Sequence, residues 1–207
     1  MRPLVRASSR RPLPRRASLP LLLALLVSAA GVLPAEARRC GDDVDGRGTA
    51  IRCACGDVVV SDVRLRADDP VAVGTCATDG LVIDASAPVT VTLDGVVLRG
   101  AGRGTGLRVL GGGVVLAGPG GVERFDVGVS AGPGALARAV AVAARDNRRD
   151  GFLVRGDDTE LIDCVAEDNG RDGVARSGRP PRLEGGRVAD NGRDGRRRTR
   201  RADREAR

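Results

Sequence analysis

The 207-residue chain contains no histidine, tryptophan or tyrosine and only two phenylalanines. It also lacks lysine, so all 34 cationic side chains are arginine. Each absence removes a chemistry. Without His there is no Ser-His-Asp or Cys-His catalytic unit and no imidazole ligand for a zinc enzyme. Without Lys there is no Schiff base and no P-loop lysine. Two aromatic side chains cannot form a stacking platform for single-stranded nucleic acid. No window sustains a 3.6-residue apolar period, which excludes helical repeats. What remains is Asp, Glu, Arg and Asn on a frame of 30 Gly, with five Cys.

The positive charge belongs to the two ends. Arg2, Arg6, Arg10, Arg11, Arg15 and Arg16 precede an apolar stretch from Leu19 to Leu33, broken by Pro20, Ser28 and Gly31. Pro34-Ala35-Glu36-Ala37 then reads as a small-x-small cleavage site. A membrane span needs about 20 uninterrupted apolar residues, so residues 1–37 are read as an export signal. The expected location is secreted or periplasmic, with no membrane anchor after cleavage. Arg39 before Cys40 argues against lipidation there. Residues 196–207 read as a basic, disordered tail. Of the net charge of +7, the signal holds +5 and the segment from Asp194 onward +4, which leaves residues 38–193 at −2. A nucleic-acid-binding body would be basic, so no nucleic-acid partner is expected.

The body is repetitive. Asp146-Asn147-Arg148-Arg149-Asp150-Gly151 recurs as Asp168-Asn169-Gly170-Arg171-Asp172-Gly173, and again as Asp190-Asn191-Gly192-Arg193-Asp194-Gly195. The offset is 22 residues each time. A Gly followed by an apolar residue also falls at Gly80, Gly106 and Gly128. Between these steps lie short β-type runs such as Val89-Thr90-Val91-Thr92-Leu93 and Val114-Val115-Leu116. Coils of about 22 residues, each with two or three short strands, predict an all-β fold: a right-handed parallel β-helix of about five to six coils. One coil cannot bury its own apolar face, but stacked coils can. The expected organisation is a Cys-rich cap and first coil over 38–79 and repeats over 80–195. Val140, Val142 and Ala144 align with Ile162, Cys164 and Ala166 as an inward-facing set. Gly106, Gly128, Gly151, Gly173 and Gly195 supply corners, through positive φ or a close backbone approach. Asn147, Asn169 and Asn191 share one coil position, where Asn tolerates the left-handed conformation and can stack in a hydrogen-bonded ladder. Gly100-Ala101-Gly102-Arg103-Gly104-Thr105-Gly106 misses the dinucleotide-loop spacing and is read as another corner.

The N-terminal half carries a family resemblance. Cys55-Gly56-Asp57, Cys76, Asp79-Gly80-Leu81-Val82-Ile83, Val91-Thr92-Leu93-Asp94-Gly95 and Gly100-Ala101-Gly102 follow one another in order. This series resembles the opening of exported right-handed β-helix repeat proteins of the pectate-lyase-like superfamily. Gly104-Thr105-Gly106-Leu107 and Gly121-Val122-Glu123-Arg124-Phe125 continue it. The resemblance covers roughly residues 53–195. It implies a Cys55–Cys76 bridge, with Cys40–Cys53 as the second; on spacing alone all three pairings of the four remain open. Such bridges would staple the end of the helix, where the first coil has an open edge. Cys164 falls in the repeat and reads as a small buried apolar residue.

Two acidic columns are the chemical candidates. Asp146, Asp168 and Asp190 share one position, and Asp150 and Asp172 share another. Like charges on neighbouring coils repel unless compensated. The adjacent column Arg149, Arg171 and Arg193 can neutralise them, and calcium is the alternative counter-charge; no other cofactor is expected. By resemblance, a polysaccharide is the expected partner. The leading expectation is a non-catalytic module that binds carbohydrate or serves a surface or structural role. The alternative is a polyuronate lyase or glycoside hydrolase, for which no residue stands out as catalytic.

Overall fold

The computed structural model describes residues 37–155 and 158–193. The segment expected to be an export signal (Ala37 apart), Gly195 and the expected basic tail fall outside these residues.

The described chain forms the strands β1 (Arg39–Cys40), β2 (Asp57–Val59), β3 (Val63–Arg64), β4 (Thr75–Cys76), β5 (Leu81–Ile83), β6 (Thr90–Thr92), β7 (Val97–Gly100) and β8 (Thr105–Val109). These are followed by β9 (Val114–Glu123), β10 (Val127–Ala131), β11 (Leu136–Arg145), β12 (Phe152–Arg155), β13 (Glu160–Ile162) and β14 (Val165–Glu167). The last are β15 (Val174–Ser177), β16 (Arg182–Glu184) and β17 (Arg187–Ala189). A four-residue helix, α1 (Pro70–Val73), is the one helix among the described residues. No described helix is long and apolar enough to cross a membrane.

All strand pairing is parallel between successive turns, which is the arrangement of a β-helix. The first face stacks β1-β2-β5-β8-β10-β12-β15. The second face runs through β3, β6, the first half of β9, the first half of β11, β13 and β16, and the third through β4, β7, the second halves of β9 and β11, β14 and β17. The turn count is about seven, not the expected five to six. The glycine rhythm used to count coils starts at Gly80, whereas Arg39–Cys40 and Asp57–Val59 already form two rungs of the first face.

Within each rung, alternate side chains enter a common interior. Leu81, Leu107, Val129 and Phe152 form one column on the first face, each 0% exposed. Burying one such side chain contributes about 1.5–3 kcal/mol. Both phenylalanines, Phe125 and Phe152, lie in this interior.

The expected inward set holds for four of its six residues. Val140 does pair with Ile162 and Ala144 with Ala166, and Val142, Cys164 and both alanines are buried. Val140 and Ile162, however, face outward, and Ala139 and Leu161 fill the interior instead. Ala141 takes φ 53°, and the register slips between Val140 and Val142. That bulge shifts the alternation by one residue. One rung later Asp163, at φ 50°, occupies the same corner, and the continuous β11 becomes the separate β13 and β14.

The regular spacing of these glycines along the chain has a steric cause rather than a dihedral one. Gly106, Gly128, Gly151 and Gly173 are not among the positive-φ residues. A Cβ on Gly151 would stand 2.7 Å from Gly173 O and 2.8 Å from Asn169 Nδ2. On Gly128 it would stand 2.5 Å from Gly151 O and 2.8 Å from Asn147 Nδ2. Each glycine is therefore a place where one rung lies directly against the next. Gly151→Ala is expected to cost about 3 kcal/mol through overpacking. Gly112→Ala, where the nearest atom is Gly134 O at 3.7 Å, should stay within about 0.5 kcal/mol. Urea melts of the two variants check the difference.

The N-terminal end is closed by two disulfides, Cys40–Cys53 and Cys55–Cys76, spanning 13 and 21 residues. An antiparallel bridge joins Gly41 to Ile51 inside the first loop. Asp45 organises that loop by accepting from Thr49 Oγ1 at 2.7 Å and from Arg47 N at 2.9 Å, contacts that hold its carboxyl below the ordinary value. The free Cys164 is buried, donates weakly to Ala139 O at 3.4 Å, and has its thiol pKa pushed up by that burial.

Candidate functional site

The sequence-derived residues divide into an internal spine, a set of exposed corners and one side of a groove. Asn147, Asn169 and Asn191 form the spine and are at most 2% exposed. Asn169 Oδ1 accepts from Asn147 N at 3.1 Å and Asn147 Nδ2 at 2.9 Å. Asn191 Oδ1 accepts from Asn169 N at 3.0 Å and Asn169 Nδ2 at 2.9 Å. Asn147 Oδ1 accepts from Phe125 N at 3.0 Å. Asn169 Nδ2 and Asn191 Nδ2 also donate to Ala144 O and Ala166 O, at 3.0 and 2.9 Å. These groups are satisfied by one another, so the column holds rungs together and offers nothing to a ligand.

The left-handed conformation expected at Asn falls one residue earlier. Asp146, Asp168 and Asp190 have φ 54°, 56° and 57° and are exposed. They turn the chain from the third face to the first, and a short polar side chain tolerates that geometry. Among the described residues, no three Asp, Glu, Cys or His side chains are grouped to hold a metal ion.

Asp150 and Asp172 are placed differently. They stand at the entry to the first face, in line with Asp79 three and four rungs earlier in the Gly-preceding position. Asp79 meets Arg108 at 3.0 Å and Asp172 meets Arg193 at 3.2 Å, and Asp126, one residue before this position on its own rung, meets Arg149 at 3.3 Å. Asp150 lies between Arg149 and Arg171, at 3.8 and 3.9 Å, with its side chain only 2% exposed. Its Oδ1 accepts from Asp172 N at 3.3 Å. Arg171 Nε is buried there without a hydrogen-bond partner.

This row is one wall of a groove that crosses the first face. The floor is the outward column Arg108, Ser130, Leu153 and Ala175, held in register by β8, β10, β12 and β15. Two adjoining cavities of about 340 and 690 Å³ share Arg149, Leu153 and Arg155. The larger also has Arg171, Arg176 and Arg193, opposed by Asp150 and Asp172. Arg155 is exposed and has no ion-pair partner among the described residues. Sequence reasoning missed Arg108, Arg155 and Arg176. The middle residue after each Gly-apolar step points outward, so reading Arg108, Ser130 and Leu153 as a column would have found the floor.

The geometry defines a disulfide-stapled parallel β-helix with a polar, arginine-rich groove on one face. No family model, curated protein or solved structure matches the chain. The reading of the groove therefore rests on its own chemistry.

Proposed function

We propose that the protein is an exported, non-catalytic β-helix module that binds carbohydrate, with the first-face groove holding an anionic glycan chain. One observation carries this reading. The larger cavity is lined by five arginines against two aspartates, whereas residues 38–193 as a whole carry −2. A cleft with a net positive charge on a body with a net negative one concentrates anionic ligands. The groove repeats every rung, about 4.8 Å apart, which suits a polymer with one charged unit per step. Ser130, Thr105, Asp150 and Asp172 supply hydroxyl-matching donors and acceptors along the same line. No aromatic side chain lines either cavity, so affinity depends on charge and hydrogen bonds.

The test is calorimetric titration with a polyuronate, a sulfated glycan and a neutral glucan at low and high salt. Binding of the anionic chains should weaken steeply with salt. Arg155→Ala with Arg171→Ala should weaken it about tenfold, or about 1.4 kcal/mol. Equal binding of the neutral glucan, or no binding at all, overturns the reading.

A second reading, a polysaccharide lyase or hydrolase, is favoured by Asp150, a carboxylate almost withdrawn from solvent yet lining the larger cavity one rung from Asp172. Turnover of an anionic glycan, abolished by Asp150→Asn with binding retained, would replace the first reading with this one.

A further inference from the structure

Among the described residues, no further rung lies beyond β15, β16 and β17 at the C-terminal end of the β-helix. Among these same residues, β15, β16 and β17 each pair on one side only, with β12, β13 and β14. Leu161 and Ala166 are 2% and 1% exposed, but their column neighbours on the last rung, Leu183 and Val188, are 38–55% exposed. An open parallel edge with apolar side chains beside it is a template for further strand pairing. Residues 194–207 are poorly suited to cover it: they carry seven Arg and no side chain more apolar than Ala.

We infer that this rung docks the same rung of a second copy of the chain. The residues of β16 are self-complementary when paired antiparallel about a two-fold axis through Leu183. Leu183 then faces Leu183 of the partner subunit, and Arg182 faces Glu184 of the partner subunit, twice over by symmetry. Within one chain Arg182 is held only loosely, 3.6 Å from both Glu160 and Glu184. Two further edge cations, Arg187 and Arg193, are already engaged by Glu167 and Asp172 of the rung below. Among the described residues, the opposite end of the helix offers no equivalent surface. Its first strand is two residues long and runs into the loop closed by Cys40–Cys53 and the Gly41–Ile51 bridge. The assembly is thus a closed dimer and not a filament.

The experiment is sedimentation velocity of the purified full chain, non-reduced, over a concentration series, with far-ultraviolet circular dichroism as the folding control. The expected result is a concentration-dependent species of twice the monomer mass. Arg182→Glu alone, or Glu184→Arg alone, places like charges opposite each other and should weaken the dimer about tenfold or more. Combining the two restores opposite charges across the axis and should return the dimer to near wild-type strength. Leu183→Asp should abolish it while the spectrum stays β-rich. A wild-type monomer at every concentration overturns the inference. So does a dimer indifferent to all four variants, or one weakened by both single reversals and not rescued by their combination.

Discussion

Replacing Cys40, Cys53, Cys55 and Cys76 with serine is expected to lower the unfolding free energy by about 6 kcal/mol. The bridges close loops of 13 and 21 residues, and loop-closure entropy gives about 3 kcal/mol for each. The loops follow one another without overlap, so the two contributions should add to a first approximation. A loss of about 6 kcal/mol approaches the whole stability of an ordinary domain. The damage should also be local at first. In a solenoid each turn leans on its neighbours alone, and the bridges tie β1 and β4 to the loops around β2. Amide exchange under mild reduction should therefore lose protection in residues 39–64 before the Asn-bearing turns. Denaturant melts showing a combined loss under about 2 kcal/mol, or exchange that rises evenly along the chain, would contradict this account.

The glycine and asparagine positions made the fold legible because a stacked solenoid must repeat whatever lets one rung lie against the next. Gly128, Gly151 and Gly173 recur because a Cβ would strike a neighbouring carbonyl or asparagine amide, and a steric demand of that kind cannot be met by substitution. Other features have several chemical solutions and leave weaker traces. The corner between the second and third faces is taken by Asp94-Gly95, by Ala141, by Asp163 and by Gly185-Gly186 on different rungs. With so varied a column, the phase of β11 could not be read, and Val140 and Ile162 were assigned to the wrong side. One of the first two rungs was missed for a related reason: residues 38–79 were expected to hold a single coil and hold two rungs of the first face. Their stacking rests on disulfides and on backbone bonds such as Gly56 N to Gly80 O at 2.7 Å, not on the 22-residue pattern.

The groove was the least legible part. Asp150 and Asp172 were visible as a column, but so were Asp146, Asp168 and Asp190, and spacing alone treats them alike. Four residues separate their fates. The earlier acid of each pair sits at a left-handed corner in solvent, and the later one turns toward the first face beside Arg149, Arg171 and Arg193. Arg155 belongs to no repeat at all, and its role follows only from the position of β12 between the two cavities.

Asn169→Ala is expected to cost about 4 kcal/mol, more than any other single polar substitution in the repeats. The chain contains three Asn and no Gln, and all three stand in this one column. Removing the central amide withdraws the acceptor of Asn147 N and Asn147 Nδ2 and the donor to Ala144 O. Each buried group left without a partner costs about 1–3 kcal/mol. Asn169→Asp separates the acceptor function from the donor function. The carboxylate still accepts from Asn147, but it faces Ala144 O and Asn191 Oδ1 with nothing to donate. Burial against two oxygens raises the folded-state pKa of that carboxyl above its unfolded value of about 4. The folded protein then holds a proton that the unfolded chain has released. Stability of the variant must fall as pH rises from about 4 toward the folded pKa, and part of it must return in acid, where one O–H donor is restored. Urea midpoints measured from pH 4 to 8, each relative to the parent chain, should therefore converge at the acid end and separate toward neutrality. Parallel midpoints across that range would mean that the column does not hold its side chains in a water-free interior.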